Sequence, residues 1–406
     1  GLNQLKALPE IPDLEITDVH GEVDIRHGRL LVSNVKGRFG TSALTRGTLN
    51  WPSLTDKSRR YTLEIQGDFN LEDLKRQGTQ PVLPPAIRRE ISRIQGADGP
   101  ITTDIELDFS GIKKLPSLTG TIETNGSRIH HSALILPINL HSGRFDFDNN
   151  GTIQINTNGR FGTSDLSVSG WTGRLWKSDG PVRRPRLNLE IDATVGLPDL
   201  ISIKKMAILP VSWQNPLAGI KDISGTLASK VIIRRKAIDT PAELVGTLSA
   251  SNASMTHANV IFPLEIQDGQ MTISQGGTTQ FNGAGLWGQS SYRVEGKADL
   301  VKKTLQATLS TQADLNDILH HLGSRSQPLL EMTQRLPTSV EIKKAGPRWG
   351  FTGEVALDAQ VITLPMGIIA PDGTGNRLTF DVDYVSGNWM INTCRYFGQS
   401  SRLTLK

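Results

Sequence analysis

The chain has 406 residues, with 44 Lys+Arg against 40 Asp+Glu and a formal net charge of +4. That charge is too dilute for a dedicated nucleic-acid binder, and aromatics at 5% provide few rings for base stacking. A single cysteine, Cys394, excludes an intrachain disulfide and a multi-cysteine zinc site, and no apolar run reaches the roughly 20 residues of a membrane-spanning helix.

The chain opens at Gly1 without a signal-type segment and stops at Lys406 inside an alternating run, the pattern expected of an internal piece of a longer protein. In chain order, Tyr61-Thr-Leu-Glu-Ile-Gln66 is the first clear period-two run. From Asn70 to Gln95 the spacing changes to three and four, with Leu71, Leu74, Ile87, Ile91 and Ile94 on one side. This predicts a short amphipathic helix broken by Pro81, Pro84 and Pro85. Alternation resumes over Ile101–Phe109, and Asn149-Asn150-Gly151 suits a tight hairpin turn. Arg186–Asp192 alternates again, and Asp199 to Ile220 carries a weaker helical pattern interrupted by Pro210 and Pro216. A third helical segment is expected from Asp314 to Leu336, with Asp314 and Asn316 as N-cap types. Arg377–Tyr384 is the last strand of this kind. Successive residues of a strand face opposite ways, so each run has one apolar and one polar face, as in antiparallel sheet.

The chain repeats itself. Gly37-Arg-Phe-Gly40-Thr-Ser42, Gly159-Arg-Phe-Gly162-Thr-Ser164, Gly285-Leu-Trp-Gly288-Gln-Ser290 and Arg395-Tyr-Phe-Gly398-Gln-Ser400 share one signature, at spacings of 122, 126 and 110 residues. Gly120 and Gly246, Pro137 and Pro263, and Gly170 and Gly296 are each 126 apart. The approximate units are 1–95, 96–220, 221–336 and 337–406, one elongated repetitive β region. Three short helical segments are too few to cover roughly two dozen strands. The sheet therefore packs on itself, as in a sandwich or solenoid, or its apolar face lines a groove filled by something else. Hydrophobic residues at 37% fit a thin core better than a dense one, but leave both arrangements open.

Catalytic chemistry finds little support. His130-His131 are neighbours on a strand and should face opposite ways; His320-His321 are adjacent on a helical segment and do not share a face either. Ser42, Ser164, Ser290 and Ser400 lack the strand-to-helix elbow of a nucleophile, and their recurrence suits a turn. Gly276-Gly277 and Asn282-Gly283-Ala284-Gly285 lack the Lys-Ser/Thr of a phosphate loop. Arg59-Arg60, Arg183-Arg184 and Arg234-Arg235-Lys236 read as solvated strand edges. No catalytic, metal or cofactor site is expected. The functional candidates are the apolar faces: Leu63 and Ile65; Ile105, Leu107 and Phe109; Phe145 and Phe147; Ile153 and Ile155; Leu187, Leu189 and Ile191; Met271 and Ile273; Leu378, Phe380 and Val382.

The Gly-x-Phe-Gly-x-Ser turn followed by an alternating strand resembles the AsmA-like envelope proteins. So do Gly246–Met255, Phe262-Pro-Leu-Glu-Ile266 and Asp268-Gly269, and the run from Leu71-Glu-Asp-Leu74 through Leu83–Ile91 to Gly99–Ile105. The resemblance implies a mainly β fold: a long repetitive antiparallel sheet bent into a half-pipe, or taco-like, groove with a few short amphipathic helices. It further implies a periplasmic protein of the Gram-negative envelope, anchored in the inner membrane through a segment absent here. Such a protein binds phospholipid acyl chains and carries phospholipids toward the outer membrane without catalysis. A strand of about seven residues spans roughly 23 Å, and roughly two dozen strands at about 4.8 Å spacing extend roughly 115 Å. The alternative is a structural β-repeat, a scaffold or adhesin stalk, in which the same apolar residues are mutually buried.

Overall fold

The computed structural model describes residues 16–55, 60–78, 91–109, 117–132, 136–173, 176–177, 180–181, 185–199, 219–237, 240, 242–257, 262–299, 302–314, 317, 335–358, 362–364, 367–369, 374–398 and 402–405. Twenty-two strands are hydrogen-bonded into one antiparallel sheet that is not closed, with almost no helix. The chain groups into two compact units, one running through Asp192 and one taking Glu243 onward, with residues 193–242 divided between them.

The first unit opens with β1 (Ile16–Arg26), β2 (Arg29–Phe39), β3 (Ser42–Trp51) and β4 (Tyr61–Asn70), followed by α1 (Leu71–Gly78) and β5 (Ile94–Asp98). It continues with β6 (Pro100–Phe109), β7 (Ser117–His131), β8 (Ile138–Phe147), β9 (Ile153–Phe161) and β10 (Ser164–Thr172). A two-residue hairpin, β11 (Trp176–Lys177) with β12 (Gly180–Pro181), precedes β13 (Leu187–Gly196) and β14 (Ile220–Arg235), whose residues are divided between the two units. From β1 to β10 sequential strands pair, except that β4 pairs with β6 and β5 joins the far half of the long β7.

The second unit holds β15 (Glu243–His257), β16 (Leu264–Ile273), β17 (Thr278–Trp287), β18 (Ser290–Asp299), β19 (Thr304–Asp314), β20 (Arg335–Ala345) and β21 (Arg348–Ala356). After the small hairpin of β22 (Ile362–Leu364) and β23 (Gly367–Ile369) come β24 (Arg377–Val385), β25 (Asn388–Phe397) and β26 (Arg402–Leu405). From β15 to β26 the strands pair in sequence, β21 going directly to β24.

The turns follow from the residues in them. The Asn149-Asn150-Gly151 hairpin is closed by Gly151 N–H to Asp148 O at 2.9 Å, with Asn150 N–H donating to the Asp148 carboxylate at 2.9 Å. Gly276-Gly277 closes the β16–β17 hairpin, both glycines at positive φ.

Helix α1 begins where the 70–95 spacing predicts. Asn70 Oδ1 accepts the Glu72 N–H at 2.8 Å, as a cap should, with Glu72 and Asp73 in the first turn and Lys75 and Arg76 in the last. Ile94 and Gln95, placed in the helical segment by spacing alone, instead lie on β5. Leu336 is likewise on β20, paired with Ala313, and not on a helix. Pro337 cannot donate an intrahelical hydrogen bond, while Leu336, Thr338, Val340 and Ile342 continue a period-two row. Asp314 ends β19, and Asp317, three residues on, is helical. Asn316, His320-His321 and most of 199–220 and 314–336 lie outside the described residues.

Two pairs of neighbouring strands carry matched irregularities. His141 bulges β8 against β9, opposite Gly126 of β7 at φ +81°. Gln267 bulges β16 against β17, opposite Asn252 of β15 at φ +50°. The two sets are 126 residues apart, the period of the repeat. An extra residue in one strand bends it and increases its twist.

The apolar face and its clasped rim as a candidate site

Register places the alternating apolar residues in rows that cross the strands. Leu49, Leu63, Leu107 and Leu118 form one row over β3, β4, β6 and β7. The next runs Val35, Gly47, Ile65, Ile105, Gly120, Phe147 and Ile153. Phe145 is paired with Ile155, and Phe109 stacks on Tyr61 at 4.3 Å. Leu187, Leu189 and Ile191 are alternate residues of β13, all half-buried. In the second unit one row is Leu248, Met271, Phe281, Gly296, Ala307, Ile342, Phe351 and Val382. Phe380 and Leu378 occupy the next two rows, and Ile273 pairs with Thr279. Register therefore brings the candidates of paired strands onto common rows of one face.

These rows are uncharged where they cross β2 to β10. Across β15 to β26 they hold one charged residue, Lys344. The opposite face is polar. Arg144 bridges Glu123 at 2.6 Å and Asp146 at 2.9 Å across β7 and β8, and Lys343 pairs with Glu341 at 3.0 Å. Exposed pairs of this kind contribute about 0–1 kcal/mol each, so they mark the wet face more than they hold it together.

Cover over the apolar face is incomplete. Among the described residues ten apolar side chains are buried, four of them alanines, and one small cluster joins Leu336 and Leu357 with Val355, Leu378 and Tyr396 around it. Ile273 is buried, Met271 is 37% exposed, and the other candidates are half-buried. A fully buried Leu, Ile or Phe gains about 1.5–3 kcal/mol over an exposed one, and much of that gain is unrealised here.

The repeated serines build one rim of the face. Ser42 Oγ donates to Asp73 Oδ2 at 2.8 Å and accepts the Asn70 N–H at 2.9 Å. Thr41 adds its N–H to the same carboxylate oxygen at 2.8 Å and its hydroxyl at 3.0 Å. In the second unit Ser290 Oγ donates to Asp317 Oδ2 at 2.7 Å and accepts the Asp314 N–H at 2.8 Å, with Gln289 N–H on the carboxylate at 2.8 Å. Each clasp ties a hairpin turn to the chain leaving the second strand beyond it. Gly40 and Gly288, at φ +56° and +62°, make room: a Cβ on either would run into the carboxylate. Burial pushes the Asp73 carboxyl up, but the hydrogen bonds from Ser42 and Thr41 outweigh it, and with Arg76 nearby the group is held below the usual carboxylate range.

Sequence reasoning assigned these serines to turns and missed their acidic partners. The signal was present as Leu71-Glu-Asp-Leu74, Leu197-Pro-Asp-Leu200 and Leu315-Asn-Asp-Ile318, one at the start of each helical segment. Ser164 and Asp199 are both buried, at the matching positions. Ser400 lies outside the described residues, as do Arg59, Arg183 and Arg184. Arg234 and Arg235 are not simply solvated: Arg234 Nε donates to Asn188 Oδ1 and Arg235 Nη1 to Pro185 O, both at 3.0 Å. His130 and His131 are consecutive on β7, opposite Gly96 and Ile94.

Comparison with family models, with curated proteins and with solved structures gives no match.

Proposed function

We propose that the apolar face binds the acyl chains of phospholipids, and that the chain is a segment of an AsmA-like bridge carrying them through the periplasm between inner and outer membrane. The observation that carries this reading is the run of uncharged, half-covered rows crossing strand after strand. Such rows lack a partner, and an acyl chain supplies one at about 0.8 kcal/mol per methylene buried. Apolar contact is non-directional, so a chain can shift from row to row without a strongly preferred stop. The matched bulges support a bent, groove-like sheet, because each one bends its strand. No acid–base or nucleophilic step is assigned to the face, so the role is carriage and not catalysis.

The test is mass spectrometry of lipid extracted from the purified chain, with photo-crosslinkers at Leu107, Leu189 and Phe380 and at the polar-face positions Glu106 and Thr352. Phospholipid crosslinked at the first three positions and not at the last two is the expected result. Lipid-free protein without crosslinks at any position overturns the reading in favour of a self-packed structural repeat.

A further inference from the structure

Lys344 is the one charged residue in the rows that cross β15 to β26. Period-two alternation puts it there, after Leu336, Thr338, Val340 and Ile342, and register sets it between Leu305 and Trp349. Its ammonium stands 4.6 Å from the centre of the Trp349 ring, and Tyr384 follows Trp349 in the same row. Its neighbour Lys343, on the polar face, has Glu341 as a partner, whereas Lys344 has no ion pair among the described residues. The next row inward, Ile342, Phe351 and Val382, is wholly apolar.

A cation that an apolar ligand would cover must be dehydrated, at a cost of several kcal/mol unless the ligand brings a counter-charge. A purely apolar ligand is therefore penalised here, and an amphiphile with an anionic end is favoured. Lysine is an effective point-charge partner for phosphate, and Trp and Tyr are the rings that tolerate a boundary between apolar and wet surroundings. We propose that Lys344, Trp349 and Tyr384 form a headgroup site for the phosphate of a phospholipid whose acyl chains lie on the adjoining uncharged rows. This rests on the reading of the apolar face given above and fixes which end of the lipid meets which end of the strands.

The 406-residue chain and its Lys344→Met, Lys344→Arg and Val340→Asp variants are incubated with vesicles containing dioleoylphosphatidylglycerol, dioleoylglycerol or oleate. Retained lipid is quantified by mass spectrometry, and circular dichroism checks the fold. The expected result is a preference for phosphatidylglycerol over dioleoylglycerol of about tenfold, the order of one charge-assisted hydrogen bond. Lys344→Met should abolish the preference while dioleoylglycerol is still held, Lys344→Arg should keep it, and Val340→Asp should lose both lipids. An unchanged preference in Lys344→Met, or equal retention of the two lipids by the wild type, overturns the headgroup site and leaves the apolar-face reading standing. Retention of oleate above phosphatidylglycerol overturns the phosphate assignment. A wild-type chain that holds none of the three overturns both readings.

Discussion

Asp73 is buried with one carboxylate oxygen taking three hydrogen bonds, and that arrangement makes the clasp sensitive to single atoms. Ser42→Ala removes a donor from the carboxylate and the acceptor for Asn70 N–H together. It should lower the unfolding free energy of the first unit by about 1–3 kcal/mol in urea titration. Ser290→Ala should do the same in the second unit, where Asp317 has fewer donors. Gly40→Ala should cost at least as much, because the methyl group must displace the carboxylate it meets. Acid acts on the same group. The folded-state pKa of Asp73 lies below its unfolded value, so its contribution is complete above the unfolded pKa of about 3.9 and is lost as pH falls through the folded one. Urea midpoints of the wild type should therefore decline below about pH 4 more steeply than those of Asp73→Asn, whose side chain does not titrate. Parallel slopes would mean that the clasp carboxylate contributes nothing to acid sensitivity.

Strands were legible because period-two alternation is a direct image of the pleat: Tyr61–Gln66 and Ile101–Phe109 are on β4 and β6, and their apolar residues pair. What alternation alone did not give was phase. In β7 the inward residues run Leu118, Gly120, Ile122 and Thr124 and then resume at Ser127; in β16 they run Leu264 and Ile266 and then resume at Gly269. Each slip is a place where the strand carries one residue too many, and sequence reasoning passed over it. Lys344 was passed over for a related reason: the parity of Val340 and Ile342 already assigned its face, and no candidate was drawn from that strand. Leu336 shows the converse error, an apolar position counted into the 314–336 helical segment although it lies on β20. Asn252 sits at φ +50° opposite a bulge, a conformation that Asn tolerates and a β-branched side chain resists. Asn252→Val should cost about 1–2 kcal/mol, whereas Asn252→Gly should be nearly neutral, as read by thermal unfolding. A valine variant with wild-type stability would mean that the strand straightens without penalty and that the bulge is not built into the fold.

At the scale of the whole molecule, the described residues hold one well-covered cluster and many half-covered rows, so anything that covers the rows should add stability. A ligand that binds only the folded state raises its stability by RT ln(1 + [L]/Kd), about 2.7 kcal/mol at a hundredfold excess over Kd. If acyl chains occupy the rows, phospholipid should raise the melting temperature of the chain in a concentration-dependent way. Val340→Asp should abolish the shift, because a carboxylate amid Leu309 and Gly353 makes that row unfit for lipid. The shift also discriminates between the open and closed arrangements. A face already packed shut offers the lipid no site on the folded state, so its melting temperature would stay flat on titration, and Val340→Asp would then place an unpaired charge in a core and unfold the second unit outright. The two compact units can melt separately, so the transition should be followed with a probe in each, for example the Trp51–Tyr61 and Trp349–Phe351 ring pairs. Lipid that stabilises both units equally argues for rows used throughout, and lipid that stabilises only the second argues that Lys344 and its rings hold the ligand in one place.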